Sequence, residues 1–203
     1  LRRKGVGAGV IVGVAAAFAF TPPSATYAHS GTDVDVTSNY RTQLTEVPAE
    51  PGLEVEIVDI TGTVRVDWRG DGQLTISGYE GEPYLRLSPA GVERNTRSPA
   101  TFLNQDRYAN VAVPASADAD AAPDWAFLGS DPVVEWHDHR NHWMSTIPPT
   151  PVTNDPDSAH VIYERWEIAI SIDGRDTTIA GTLTWVPPPQ TVRWLVAAAL
   201  ITL

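Results

Sequence analysis

The sequence predicts a mainly β, Ig-like or sandwich-like extracytoplasmic domain with a long irregular central loop. Three observations predict it. Seventeen prolines and fifteen glycines interrupt every window long enough for a helix. Apolar residues recur with a period of two, as on a half-buried strand. Asp173-Gly174 stands between two such runs, the two-residue turn that tight hairpins favour.

The strands follow in order. In 53–60, L-E-V-E-I-V-D-I, residues Leu53, Val55 and Ile57 share one face. In 63–68, Val64, Val66 and Trp68 alternate with polar residues, and R-G-D-G at 69–72 reads as a turn. The return strand is expected at 73–79, through Leu74 and Ile76. The strongest hairpin pairs 160–172, with Trp166, Ile168, Ile170 and Ile172 on one face, with 177–186 through Ile179, Leu183 and Trp185. Short strands at this spacing fit a sandwich or barrel. Residues 94–131 are expected as a long ordered loop with one helical turn near 118–122.

The two ends differ from this body. Residues 2–4 are R-R-K, followed by an apolar run to Phe20, a Thr-Pro-Pro break and S-A-T-Y-A. That order predicts a signal peptide over 1–28, cleaved after Ala28, with a retained anchor as the rival reading. The mature domain would be 29–186, followed by a Pro-rich linker at 187–192. Residues 193–203 open with Arg193-Trp194 and continue L-V-A-A-A-L-I-T-L, the expected start of a transmembrane helix. The expected place is therefore the cell membrane, with the domain on the outer side.

Charge narrows the partners. The first 28 residues hold three of the 14 basic residues and none of the 25 acidic ones, so the remainder carries −14. A body that acidic repels nucleic acid and suits cations. Cysteine is absent, which excludes disulfides and thiolate metal sites. No H-E-x-x-H, phosphate loop or G-x-S-x-G elbow is present, so the chain is read as a binding domain and not an enzyme. The sequence specifies no protein partner.

Chemistry concentrates in E-W-H-D-H-R-N-H-W-M at 135–144, which holds three of the five histidines and the only methionine. On a strand, His137 and His139 would face one way and His142 would follow past a bend. Imidazole suits copper, zinc and nickel, and a thioether from Met144 would add preference for Cu(I). Cleavage after Ala28 would place His29 at the new terminus, with an α-amine and an imidazole on one residue. The candidate metal ligands are thus His137, His139, His142, His29 and Met144, for copper or alternatively zinc. Glu135 would orient the imidazoles as a carboxylate partner. In the competing reading, Asp138, Arg140 and Glu135 saturate the imidazoles in a metal-free polar network that fixes the loop, and the domain is an envelope interaction or scaffold module.

Two further stretches stand out. In G-Y-E-G-E-P-Y-L-R at 78–86, Glu80 and Glu82 would share a face; the stretch is expected as a bulged strand end with surface acids, the alternative being cation ligands or contacts of Arg94 or Arg97. Arg94, Arg97 and Arg107 are expected to neutralise nearby acids. Together with N-T-R-S-P-A-T-F-L-N at 95–104 and W-H-D-H-R-N-H-W-M at 136–144, this motif resembles a family of actinobacterial envelope proteins. Those have a signal peptide, a β-rich extracytoplasmic domain and a C-terminal membrane helix. The resemblance implies localisation and architecture but no activity. Separately, A-H-S at 28–30 is similar to the mature start of copper-resistance C-type proteins, Ig-like sandwiches whose N-terminal histidine binds copper.

Overall fold

A computed structural model describes residues 39–189. The calls on the signal peptide, on His29 and on the membrane helix fall on residues outside that range. Among the described residues no helix is long and apolar enough to cross a membrane.

The described chain is mainly β, and every ladder is antiparallel. It forms β1 (Tyr40–Glu46), β2 (Leu53–Ile57), β3 (Thr63–Trp68), β4 (Leu74–Ser77), β5 (Pro83–Ser88), β6 (Gly91–Asn95), α1 (Ala100–Leu103), β7 (Trp125–Gly129), β8 (Val133–His137), α2 (Thr150–Asn154), β9 (His160–Ile172) and β10 (Arg175–Trp185). One sheet runs β1-β10-β9-β4-β5-β6-β7, and the other runs β2-β3-β8. A single hydrophobic cluster draws on both. It takes Val64, Val66, Val134 and Trp136 from the small sheet and Leu74, Leu85, Ile168, Ile179 and Leu183 from the large one. Side chains of this kind contribute about 1.5–3 kcal/mol each on full burial.

The β9–β10 hairpin has the expected turn and first strand, while the second strand runs Arg175–Trp185 instead of 177–186 because pairing begins directly at the two-residue turn. Asp173 and Gly174 both have positive φ, 51° and 80°, as a twisted two-residue turn requires. Trp166, Ile168, Ile170 and Ile172 are buried as the alternation predicts.

The expected hairpin through Arg69–Gly72 does not form. β3 pairs with β2 and β8, whereas β4 pairs with β5 and β9. The R-G-D-G stretch carries the chain from one sheet to the other. Its end is tied down from outside the turn: the Trp68 indole donates to the Gly72 carbonyl, and Gln73 N–H donates to the Asp173 carboxylate. Turn chemistry in a sequence specifies a reversal, not which strand the chain pairs with afterwards.

The central loop is also more structured than expected. Its helix lies at Ala100–Leu103, and 118–121 makes only a turn. β7 closes the segment by pairing with β6.

Candidate functional site

β8 places the histidine run. It pairs with β3, setting His137 opposite Thr63 and Glu135 opposite Arg65. The strand ends at His137, and the chain leaves it through a turn and bend at 139–142. His137 and His139 therefore do not share a strand face, yet their rings remain neighbours.

Trp136, Asp138 and Arg140 form a saturated polar network. Asp138 is fully buried and accepts from the Trp136 indole (2.8 Å), from Arg140 N–H (3.0 Å) and from the Arg140 guanidinium (2.8 and 2.7 Å). Burial alone would raise this carboxyl, but Arg140's hydrogen bonds and charge outweigh it and hold it below its usual range. Arg140 reaches further, donating to the carbonyls of Ser77 and Gly78 and lying 5.1 Å over the Tyr79 ring.

The three motifs singled out in the sequence meet here. Tyr79 donates its hydroxyl proton to Asn104 and accepts from His139 N–H at 3.0 Å. Glu82 is buried and accepts from Ser98 Oγ (2.5 Å) and Glu80 N–H (3.0 Å), so serine and backbone hold it, not an arginine. The Asn141 side-chain amide donates to the Gly62 carbonyl at 2.7 Å, and Thr42 donates to the Asn141 carbonyl. Gly62 has φ 88°, and a Cβ there would stand 2.9 Å from the Asn141 amide oxygen, so the site requires glycine.

The imidazoles form the other half. Ring centroids are 4.3 Å apart for His137 and His142, 5.6 Å for His139 and His142, and 5.9 Å for His137 and His139. A metal at about 2.0–2.1 Å from each nitrogen would put ligated rings roughly 4.5–5.5 Å apart; His137 and His142 stand slightly closer than that and both pairs with His139 slightly wider. The aim of the nitrogens is less complete. His139 Nε2–H donates to the Asp106 carbonyl at 2.8 Å, leaving Nδ1 as its lone-pair nitrogen, and its ring stacks on Tyr79. His142 Nδ1–H donates to the Trp143 carbonyl at 3.0 Å, which leaves its Nε2 as an acceptor. That Nε2 and the Nε2 of His137 are both buried without a hydrogen-bond partner. Among the described residues no three His, Asp or Glu side chains stand ready to hold a metal ion.

Electrostatics keep the pair neutral. Burial, and then the Arg107 guanidinium, push His137 down to about 4. Burial, and then His137 itself, push His142 down to about 3. Both rings are thus neutral imidazoles with a free lone pair at neutral pH.

The remaining candidates stand elsewhere. Glu135 pairs with Arg65 at 2.8 Å on the surface instead of orienting an imidazole. Met144 is half-buried two residues beyond His142. Arg94, Arg97 and Arg107 form no ion pair with an acid among the described residues; Arg107 donates to the Thr61 carbonyl and leaves its Nε buried and unpartnered. Arg107, Asp106, Asn104 and Tyr79 belong to the site although the sequence did not assign them to it. Only the motif boundaries hinted at this, since Asn104 and Tyr79 lie in stretches singled out for other reasons. Compared with known proteins, the chain matches no protein-family model, no curated protein and no solved structure.

Proposed function

We propose that this chain is a membrane-tethered, extracytoplasmic, Ig-like binding domain that takes a transition-metal ion at the imidazole pair His137 and His142. One observation carries the reading: two adjacent buried imidazoles each keep an unpartnered Nε2. A buried polar atom without a partner costs about 1–3 kcal/mol, and an ion is one thing that removes that cost. The backbone carbonyl that holds His142 by its other ring nitrogen is the usual support of a ligating imidazole. His139, held in the same way by Asp106, is the nearest third donor through Nδ1.

Copper is the favoured ion, and Cu(I) the favoured state. A small set of neutral nitrogens favours the monovalent ion, whereas zinc asks for three or four protein ligands. The Arg107 guanidinium, which acts on both rings, penalises a divalent ion more than a monovalent one.

The metal-free scaffold reading keeps one specific support. Asp138 and Arg140 already fix the loop without any ion. Titrating the full chain with Cu(I) and Zn(II) separates the two readings. One equivalent of copper should bind, and His137→Ala and His142→Ala should each abolish it while Glu135→Ala leaves it intact. Binding that survives both histidine variants, or none in the native chain, overturns the metal site.

A further inference from the structure

Beside the pair His137 and His142 stands a third imidazole whose orientation is fixed from outside the run. His139 is buried, and three contacts hold it. Its backbone N–H donates to the Tyr79 hydroxyl at 3.0 Å, and its Nε2–H donates to the Asp106 carbonyl at 2.8 Å. Its ring stacks on the Tyr79 ring, with centroids 5.5 Å apart and planes 13° from parallel. Two of the three contacts come from one residue, so Tyr79 holds both the backbone and the side chain of His139.

Tyr79 is itself held. It stands on a turn at 78–82, directly after β4, which Gly78 N–H closes by donating to the Glu82 carbonyl at 2.7 Å. Inside that turn the Glu82 carboxylate accepts from Glu80 N–H at 3.0 Å. Arg140 donates to the Ser77 and Gly78 carbonyls and lays its guanidinium 5.1 Å over the Tyr79 ring. The phenol donates to Asn104. Burial, and then the Asp138 charge, push the phenol above its usual value, so it keeps the proton it donates. The saturated network around Asp138 thus reaches His139 through Tyr79.

An imidazole on a fixed backbone still turns about its side-chain torsions, and the outer one is broad. The Asp106 carbonyl and the plane of the Tyr79 ring remove that freedom. The hydrogen bond at Nε2 also sets the tautomer and leaves the lone pair on Nδ1. The His139 ring centre lies 5.6 Å from that of His142 and 5.9 Å from that of His137, within about half an ångström of the spacing of ligated rings.

We infer that Tyr79 is the positioning residue of this site: it holds the His139 imidazole so that Nδ1 supplies the third nitrogen to the ion taken by His137 and His142. The inference rests on the metal-binding reading above. It makes the bound ion three-coordinate, and it makes metal affinity depend on a turn of the large sheet as well as on the histidine run.

The test loads the full chain with one equivalent of Cu(I). X-ray absorption at the copper edge counts the nitrogen ligands, and competition with a chromogenic Cu(I) chelator gives the affinity. The native chain should show three nitrogens. Tyr79→Leu and His139→Ala should each show two, with copper bound roughly tenfold or more weakly. Tyr79→Phe keeps the ring stack and loses the hydroxyl, so it should keep three nitrogens and bind severalfold more weakly. A merely structural tyrosine would change the unfolding midpoint and not the nitrogen count. Two nitrogens in the native chain, or three in His139→Ala or Tyr79→Leu, overturn the inference and leave the His137–His142 site standing. If Tyr79→Leu does not fold, unchanged affinity in Tyr79→Phe overturns the positioning role. A native chain that takes up no copper overturns both readings.

Discussion

Within ten residues the chain builds two polar assemblies of opposite character. Asp138 accepts four hydrogen bonds from Trp136 and Arg140, which fills the acceptor capacity of a carboxylate. His137 and His142, one and four residues away, keep buried nitrogens without partners. The first assembly spends its bonding capacity on holding the loop. The second is held by that loop and keeps its lone pairs available. The difference teaches that a dense polar motif need not be one device: the saturated half positions, and the unsaturated half is where a ligand gains most.

Four experiments break or sharpen that comparison. The largest effect is expected from Asp138→Ala, which strands the largely buried Arg140 charge and the Trp136 indole N–H. Denaturant unfolding should show a loss of about 3–5 kcal/mol, the cost of breaking a buried pair from one side. A loss below about 1 kcal/mol would mean that the network is not what fixes the loop.

The second concerns the unsaturated half. Copper at a hundredfold excess over its dissociation constant should raise the stability of the native chain by about 2.7 kcal/mol. His142→Leu should lose that gain entirely while changing metal-free stability by no more than about 1 kcal/mol, because an apolar replacement removes a partnerless nitrogen. A large metal-free loss in His142→Leu would move His142 into the structural half.

Acid is the third. The folded chain holds His137 near 4 and His142 near 3, against about 6.5 when unfolded. Between those values the unfolded chain takes up protons that the folded chain refuses. Stability is therefore full above about pH 6.5 and falls as pH drops toward 4 and 3. Fully buried His142 should contribute more to the loss than half-buried His137, whose share is reduced by solvent screening. Urea midpoints measured from pH 7 to pH 4 would follow it, and the slope should flatten in a His137→Leu/His142→Leu variant.

The smallest effect is expected at the edge of the motif. Arg65 and Glu135 are both substantially exposed. Glu135→Ala should cost less than about 1 kcal/mol and leave copper affinity unchanged. A drop in affinity would restore Glu135 as a support of the imidazoles.

Legibility followed the range of the interaction. The β9–β10 hairpin was readable because its alternation and its Asp173-Gly174 turn are local. The R-G-D-G turn misled because its neighbours pair with distant strands, β8 on one side and β9 on the other. In the site, the histidines announced themselves by density. Their partners did not, because the Asp106 carbonyl is a backbone atom with no residue signature, and Arg107 acts through space. Glu82 was expected as a surface acid or a partner of an arginine, but packing buries it against Ser98.

The sequence by itself determined the β character, the acidic and cysteine-free chemistry, and the ten-residue run as the place where polar groups concentrate. Those properties depend on composition and on near-neighbour periodicity. Only the tertiary structure decided which members of the run are saturated. Whether a nitrogen is orphaned depends on long-range contacts. The carbonyls of Ser77 and Gly78 engage Arg140, the Asp106 carbonyl engages His139, and among the described residues no partner reaches His137 or His142 Nε2. A buried hydrogen bond is satisfied or not by distances of a few tenths of an ångström, and spacing along a chain does not specify those.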